Sequence, residues 1–270
     1  MHPLLPLSLR TACFALAVLA PIAHAADNVP AAISATDLAS RLNAVIQDGN
    51  SYVRVRLEVK GASEEILQLQ IKARRTNNST DVVYQVLWPK ERKGEAVLLR
   101  KSGNRPASGT LFAPPNNIRT LDATDMKEPL FGSDLAYEDV AENFFAWDQQ
   151  AIVGTEVLGG VTCQILESKP GKNGRSIYGS VRSWIDTRRL VPLRIEKISS
   201  SGQPLRRIDT TRVVGVDGRQ IPADLSVCRP GQNSVTTFDG SRIKRGVAYT
   251  DREFTAEGLK DLSLPHDAPK

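Results

Sequence analysis

Apolar and charged side chains alternate with a period of two through most of the chain that follows residue 50. Residues 52–61 (YVRVRLEVKG) place valine and leucine on one face and arginine, glutamate and lysine on the other. Residues 65–75 (EILQLQIKARR) repeat the pattern with leucine and isoleucine against glutamine and lysine. Alternation of this kind is typical of β-strands that bury one face. It predicts an antiparallel sheet with one face on the core and the other in water.

Strand-like stretches continue at short spacing almost to the end of the chain, with Gly, Pro or Asn between them. Turns such as SSSG (199–202), VDG (216–218) and FDG (238–240) suit short hairpins, so consecutive strands are expected to pair. About a dozen strands give a sheet that must curl. We therefore predict a mainly β fold with a few helices. It is an incomplete (open) antiparallel β-barrel wrapped over short helices, with an apolar hollow inside.

One amphipathic helix is predicted before the first strand. Apolar residues recur from Leu38 to Ile46 at the i, i+4, i+7 and i+8 spacing of one helical face. Ser34 or Thr36 can cap the start of this helix, and Gly49 ends it.

Residues 130–147 (LFGSDLAYEDVAENFFAW) differ from their surroundings because acids and large apolar residues are interleaved there. The acids are Asp134, Glu138, Asp139 and Glu142. A helix from about Leu135, capped by Ser133 or Asp134, would bring Tyr137, Val140, Phe144 and Phe145 near one face. The acids would then lie in the first turns, where the helix dipole favours them. A direct chemical role for the acids is the alternative. We expect this stretch to close over the open side of the curled sheet.

The N-terminus predicts export. Residues 1–25 combine one basic side chain, Arg10, with a short apolar run and the sequence Ala23-His24-Ala25. This is the pattern of a cleavable secretory signal peptide. The run is shorter than the 20 or so apolar residues that a membrane-spanning helix needs. We expect an exported protein of the bacterial periplasm, with a formal net charge of about +4 after Arg10 is removed.

The mature chain lacks the residues for several kinds of catalytic or metal site. Of its histidines, only His266 remains, close to the C-terminus. A Ser-His-Asp triad needs an imidazole beside the nucleophile, and zinc sites need clustered Cys and His. No glycine-rich phosphate loop is present. We therefore expect no metal, no cofactor and no enzymatic activity, although a pair of carboxylates acting as a hydrolase stays open.

Cys163 and Cys228 are the two cysteines that remain after the signal peptide. In an oxidising compartment they could form a disulfide. The alternative is two small buried side chains in separate strands, which a simple meander would hold apart.

Basic pairs and a triplet occur along the predicted outer face. They are Arg74-Arg75, Arg188-Arg189, Arg206-Arg207 and Arg242 with Lys244 and Arg245. They could meet anionic headgroups or an acidic partner, or simply form a solvated sheet face. No nucleic acid is expected, because aromatic residues are not interleaved with these clusters.

The central segment and several later stretches resemble the LolA-like superfamily of outer-membrane lipoprotein-sorting proteins. The resemblance rests on Gly132, Ser133, Asp134, Leu135, Glu138, Asp139 and Val140. Similar stretches are GVTCQILESKP, SVRSWIDTRRLVPLRIEKISSSG and GVAYTDREFTAEGL. The resemblance covers most of residues 35–262, which we predict to be a single open-barrel domain, with a flexible start at 26–34 and a flexible tail at 263–270.

The resemblance implies a non-enzymatic carrier or chaperone that holds acyl chains of lipoproteins or lipids in an apolar cavity. Burial of each methylene contributes about 0.8 kcal/mol, so acyl chains bind without chemistry. The expected cavity and lid residues are Val55, Leu57, Leu69, Trp88, Phe131, Leu135, Tyr137, Val140, Phe144, Phe145 and Trp147. An inner-membrane transporter or an outer-membrane acceptor would be a partner, and a monomer is expected. The alternative is an accessory protein of a membrane transporter or envelope complex that uses the same fold as an interaction module.

Overall fold

The computed structural model describes residues 33–76, 79–103, 105–172, 174, 176–264 and 266–267. The predicted signal peptide, the residues up to 32 and part of the predicted tail lie outside the described residues. The chain divides into Met1–Ala32 and a second compact unit, Ile33–Lys270, to which the described residues belong.

The described residues contain two α-helices, α1 (Ala35–Gln47) and α2 (Tyr137–Ala141). The strands are β1 (Ser51–Lys60), β2 (Glu64–Arg75), β3 (Ser79–Trp88), β4 (Ala96–Ser102), β5 (Ser108–Ala113), β6 (Asn117–Leu121), β7 (Gln149–Leu158), β8 (Val161–Lys169), β9 (Ser180–Asp186), β10 (Val191–Ile198), β11 (Pro204–Val216), β12 (Arg219–Cys228), β13 (Val235–Arg245), β14 (Val247–Ala248) and β15 (His266–Asp267). Strands dominate, as the period-two pattern predicts.

Thirteen of the described strands form one antiparallel sheet that is not closed into a full barrel. Its order is β6-β5-β4-β3-β2-β1-β13-β12-β11-β10-β9-β8-β7. Two meanders, β1–β6 and β7–β13, are therefore joined side by side where β1 pairs with β13. The predicted open antiparallel β-barrel over short helices is confirmed.

The connection between β6 and β7 determines what lies inside the sheet. Because β6 and β7 are the two edge strands, residues 122–148 must travel from one edge of the sheet to the other. We call these residues the crossing segment. They pass over the inner face, where their apolar side chains join both of the clusters described below.

The crossing segment is mostly irregular. The predicted helix from about Leu135 is wrong in extent, because α2 runs only from Tyr137 to Ala141 and Glu142 has an extended backbone. Phe144–Ala146 form a separate 3₁₀ turn. Phe131 lies in the left-handed region with φ of 50°, which is uncommon for a residue that carries a side chain.

Helix α1 forms as the sequence predicts. The Ser34 hydroxyl accepts a hydrogen bond from the Asp37 amide at 3.0 Å and so caps the helix. Leu38 and Leu42 are buried, and Gly49 follows the helix with φ of 75°.

The inner face carries two apolar clusters. The first packs strands β1–β4 and β11–β13 against the first half of the crossing segment, and the second packs β8 and β9 against α1 and the segment's second half. Buried members of the first include Val55, Leu57, Leu69, Val82, Leu99, Phe238, Met126, Leu130, Phe131, Leu135 and Tyr137. Buried members of the second include Leu38, Leu42, Phe144, Phe145, Leu166, Val181 and Ile185.

The outer face of β2–β5 is not the wet surface that the alternation predicts. Residues 247–264, which we call the C-terminal strap, cover it with Phe254 and Leu259. Gln70, Lys72 and Gln85 are buried beneath this strap and donate hydrogen bonds to its backbone carbonyls. The prediction fails here because a pattern within one strand carries no information about a distant segment that later covers it.

The two cysteines are both free. Cys163 is buried on β8 and Cys228 ends β12, four strands away across the sheet. Strands lie about 4.8 Å apart, so the two Cα atoms are separated by roughly 19 Å. A disulfide needs Cα atoms within about 7 Å, and the meander therefore keeps this pair from bonding.

Candidate functional site

The predicted cavity residues divide between the two inner clusters. Val55, Leu57, Leu69, Phe131, Leu135 and Tyr137 are buried in the first, and Val140 packs against it. Phe144 and Phe145 are buried in the second, and Trp147 packs against that cluster. Trp88 is 52% exposed and belongs to neither. The structure thus places nearly all of the predicted residues on the inner face, where the crossing segment itself fills the space between the strands.

Asp134 ties the middle of the crossing segment to β11, to β13 and to the loop that precedes β13. One carboxylate oxygen accepts hydrogen bonds from Arg229 Nε at 2.9 Å and Ser234 Oγ at 2.6 Å. The other accepts from Thr236 Oγ1 at 2.9 Å. The backbone carbonyl of Asp134 also accepts from Arg206 Nε at 2.7 Å. The carboxylate is buried, so these donors replace the water it has lost.

Asp139 lies at the centre of the inner face, with a side chain that is 0% exposed. Its oxygens lie 3.1 Å from Arg206 Nε and 3.5 Å from Lys197 Nζ, and the Tyr178 hydroxyl donates to it at 2.7 Å. It also accepts from the Ala136 amide at 2.7 Å, which fixes the first turn of α2. This carboxylate therefore holds the helix and two strand cations at once.

Lys197 is a buried cation that sequence analysis missed. Its Nζ lies 4.5 Å from the centre of the Phe144 ring and 5.1 Å from that of Tyr178. Burial lowers the pKa of Lys197, and Asp139 opposes that shift. The sequence contains a signal for this burial. Lys197 follows Ile195 by two residues, so both side chains lie on the face of β10 that is directed at the core.

Glu138 and Glu142 hold the remainder of the crossing segment. Glu138 accepts hydrogen bonds from the Ile177 amide at 3.1 Å and from the Ser176 hydroxyl. Glu142 lies 2.8 Å from Lys101 Nζ and accepts from Trp147 Nε1 at 3.0 Å. All four acids of residues 130–147 therefore anchor the crossing segment to other side chains or backbone groups, a more specific role than the helix-dipole effect that the sequence suggested.

The burial of Glu138 predicts a dependence of stability on pH. Burial raises the pKa of Glu138 above its ordinary value of 4.5, while the Ser176 and Ile177 hydrogen bonds oppose the shift. A carboxyl with a raised folded pKa binds a proton more readily in the folded state, so its contribution to stability is lost as pH rises. The free energy of unfolding of Glu138→Gln, relative to that of wild type, should therefore increase as pH rises from 4.5 to 7. Urea unfolding at several pH values in this range measures both free energies. The same dependence of unfolding free energy on pH in both proteins would contradict the assignment.

Three cavities border the crossing segment. The largest of these three, about 560 Å³, lies between α1, the start of β3, the end of β4, residues 141–149 and the chain after β8. We call it the mouth cavity, and its exposed rim residues include Asp148, Gln149 and Lys172. A second cavity of about 140 Å³ reaches Met126 and Glu138. A third, of about 260 Å³, lies beside Phe131 at the other end.

Glu142 lines both the mouth cavity and the 140 Å³ cavity. Its side chain, held by Lys101 and Trp147, therefore lies beside both a polar opening and a space that reaches Met126 of the first cluster.

The arrangement favours holding a ligand over acid/base chemistry, because fixed donors occupy the oxygens of the four acids. Among the described residues, no group of three or more His, Cys, Asp or Glu side chains could hold a metal ion. None of the helices in the described part of the chain is both long and apolar enough to cross a membrane.

Comparisons with known proteins agree with this architecture. A protein-family model described as an uncharacterized protein matches residues 78–261, which is well over half of the chain. No curated protein matches the chain. A solved structure of a DUF1329 family protein from Desulfovibrio piger is 19% identical, with a TM-score of 0.78, and the match covers 83% of this chain and 97% of that one.

Two further solved structures share the fold. A putative outer membrane lipoprotein-sorting protein domain from Vibrio parahaemolyticus has a TM-score of 0.76 at 18% identity, covering 84% of this chain and 98% of that one. A LolA superfamily protein from Nitrosomonas europaea has a TM-score of 0.68 at 19% identity, and the match covers 84% of this chain and 100% of that one. The chain therefore belongs to the matched family of uncharacterized proteins, and it shares the fold of these three solved structures.

Proposed function

We propose that this protein is a non-enzymatic periplasmic carrier that holds acyl chains of lipoproteins or lipids against the inner face of its open sheet. The observation that carries the proposal is the kind of segment that covers that face. Beside α1, the apolar inner surface is covered by one connection, the crossing segment, whose regular structure is a single five-residue helix and short 3₁₀ turns. In this proposal the segment occupies the face when the carrier is empty and moves when an acyl chain enters.

The exchange of segment for acyl chain is close to balanced in energy. A chain of about 16 carbons contributes on the order of 10 kcal/mol when its methylenes leave water. Burial of about five large apolar side chains, at about 2 kcal/mol each, contributes a similar amount. Phe131, Leu135, Tyr137, Phe144 and Phe145 are such a set. Small changes in the polar anchors would then decide which occupant is preferred.

The Lys101–Glu142 pair is the anchor that an entering chain would meet first. It lies at the mouth cavity, and Glu142 also lines the 140 Å³ cavity that reaches Met126. Opening this pair leaves the central Asp139 anchors intact, so the sheet and α2 need not unfold for loading.

A variant of this anchor tests the proposal. Lys101→Met should loosen the crossing segment and raise the affinity for a dansyl-labelled fatty acid about tenfold, because a closed segment lowers apparent affinity by the fraction of open protein. Titration of the probe fluorescence measures the dissociation constant. Lys93→Met, at an exposed lysine in the turn between β3 and β4, is the matched control and should leave the affinity unchanged.

Absence of saturable probe binding by wild type and by Lys101→Met would overturn the carrier proposal. Saturable binding that both lysine variants leave unchanged would instead contradict the loading route through Glu142. Native mass spectrometry of protein purified from its own periplasm gives an independent result, because a carrier should retain an acylated molecule.

A second candidate function rests on the edge strand β7. This ten-residue strand pairs on one side only, with β8, and exposes Val153 at 49% and Val157 at 62%. Such an edge can accept a strand from another protein. An accessory protein of a transporter or envelope complex would use it in this way. In the same native mass spectrum, a retained protein partner in place of an acylated molecule would favour this function.

A further inference from the structure

We infer that the mouth cavity binds the polar head of the cargo, and that this head is uncharged and rich in hydroxyl or amide groups, as in a saccharide. The inference rests on the proposed carrier function, since it assigns the other end of the same molecule. It goes beyond that function by giving the cargo a chemical class that acyl burial alone cannot select.

The size and position of the mouth cavity suit a head group. Its volume of about 560 Å³ is within the range of about 300–1,000 Å³ that small-molecule sites occupy. It opens to solvent at its rim and shares the lining residue Glu142 with the 140 Å³ cavity. An amphiphile placed with its head here would direct its tail past Glu142 toward Met126 and the first cluster.

Amide and hydroxyl side chains, which both donate and accept hydrogen bonds, are the largest chemical group in the lining. Asn43 and Gln47 come from α1, Thr80 from β3, and Asn143 and Gln149 from the crossing segment and β7. Amide and hydroxyl side chains offer both functions within one residue. Hydroxyl groups of a ligand need the same mixture, whereas a purely ionic head would need an excess of one charge.

The charges of the lining cancel. Lys101 is paired with Glu142, and Lys172 and Asp148 at the rim have opposite signs. Because these charges balance, a head with a net charge of either sign gains no long-range attraction. The amide and hydroxyl side chains of the lining favour an uncharged head that forms hydrogen bonds over a zwitterionic one.

Trp147 adds an aromatic surface to the same cavity. It is half-buried, lines the mouth cavity, and its Nε1–H is already used by Glu142 at 3.0 Å. Its ring is therefore available for apolar contact while its polar group is held, which suits the C–H faces of a sugar ring. Both Trp147 and Glu142 belong to the crossing segment, so a bound head would contact the part that must move.

Amphiphiles with one chain length and different heads test the inference. Dodecyl maltoside, octaethylene glycol monododecyl ether and dodecylphosphocholine are titrated below their micelle concentrations, in competition with the dansyl-labelled fatty acid. Wild type should bind the maltoside about tenfold more tightly than the other two. The Gln47→Ala/Thr80→Ala variant should lose that preference and keep its affinity for the ether. Both positions lie outside the crossing segment, and Gln203→Ala, in an exposed turn, is the matched control.

The outcomes separate the two proposals. Equal affinity for the three heads, or a maltoside preference that survives in Gln47→Ala/Thr80→Ala, would overturn the head-group site while leaving the carrier intact. Failure of all three amphiphiles and of the fatty acid to bind would instead remove the carrier function on which the inference rests. Circular dichroism of the double variant verifies that the sheet has formed.

Discussion

Replacement of Asp139 by asparagine is expected to lower the free energy of unfolding by about 3–5 kcal/mol, because a buried charge is left without its partner. In Asp139→Asn, Lys197 stays buried with a 1% exposed side chain, and Arg206 stays nearly buried beside it. Neither cation has water to replace the lost carboxylate. Urea unfolding of wild type and variant at neutral pH measures this loss.

The double variant Asp139→Asn/Lys197→Met tests whether the buried charge is the cause. Removal of the unpaired cation should restore part of the loss, so the two changes should not be additive. Asp239→Asn, at a surface pair with Arg56, is the matched control and should cost less than about 1 kcal/mol. A loss in Asp139→Asn no larger than that of this control would contradict the anchoring role.

The second large effect concerns the opposite face of the sheet. Phe254→Ala in the C-terminal strap should also cost about 3–5 kcal/mol, because the ring is fully buried and its removal leaves a cavity. Arg74 lies 4.4 Å from the ring centre and Tyr249 packs on it edge to face. Leu264→Ala, at a 53% exposed position of the same strap, should change the unfolding free energy by less than about 0.5 kcal/mol. Urea unfolding of the two variants provides the comparison, and equal small losses would mean that the strap contributes little to the fold.

Together the Asp139→Asn and Phe254→Ala variants separate stability from carrier function. Both lose a similar amount of stability, but only Asp139 holds the crossing segment, whereas Phe254 lies on the outer face. Asp139→Asn should therefore raise the affinity for the dansyl-labelled fatty acid, and Phe254→Ala should leave it unchanged. A parallel change in both variants would mean that general loosening of the fold, and not release of the segment, controls binding.

The roles of the four acids show how far local sequence reasoning reaches. The interleaving of acids with aromatic residues in 130–147 marks this stretch as special, and its apolar residues are buried as predicted. Most partners of the acids, however, lie outside that stretch. Arg206, Arg229 and Thr236 follow it by many residues and reach it only through the strand order of the sheet.

The sequence by itself determined most of the strands, the mainly β class and the helix α1 with its Ser34 cap, because period and capping depend on neighbours within a few residues. Only the tertiary structure decided that β1 pairs with β13, which makes β6 and β7 the two edges. That pairing sends the crossing segment over the inner face, buries Asp139 against Lys197, and leaves the outer face to the C-terminal strap. Contacts between residues so far apart depend on how whole strands are ordered, and no local pattern encodes that order.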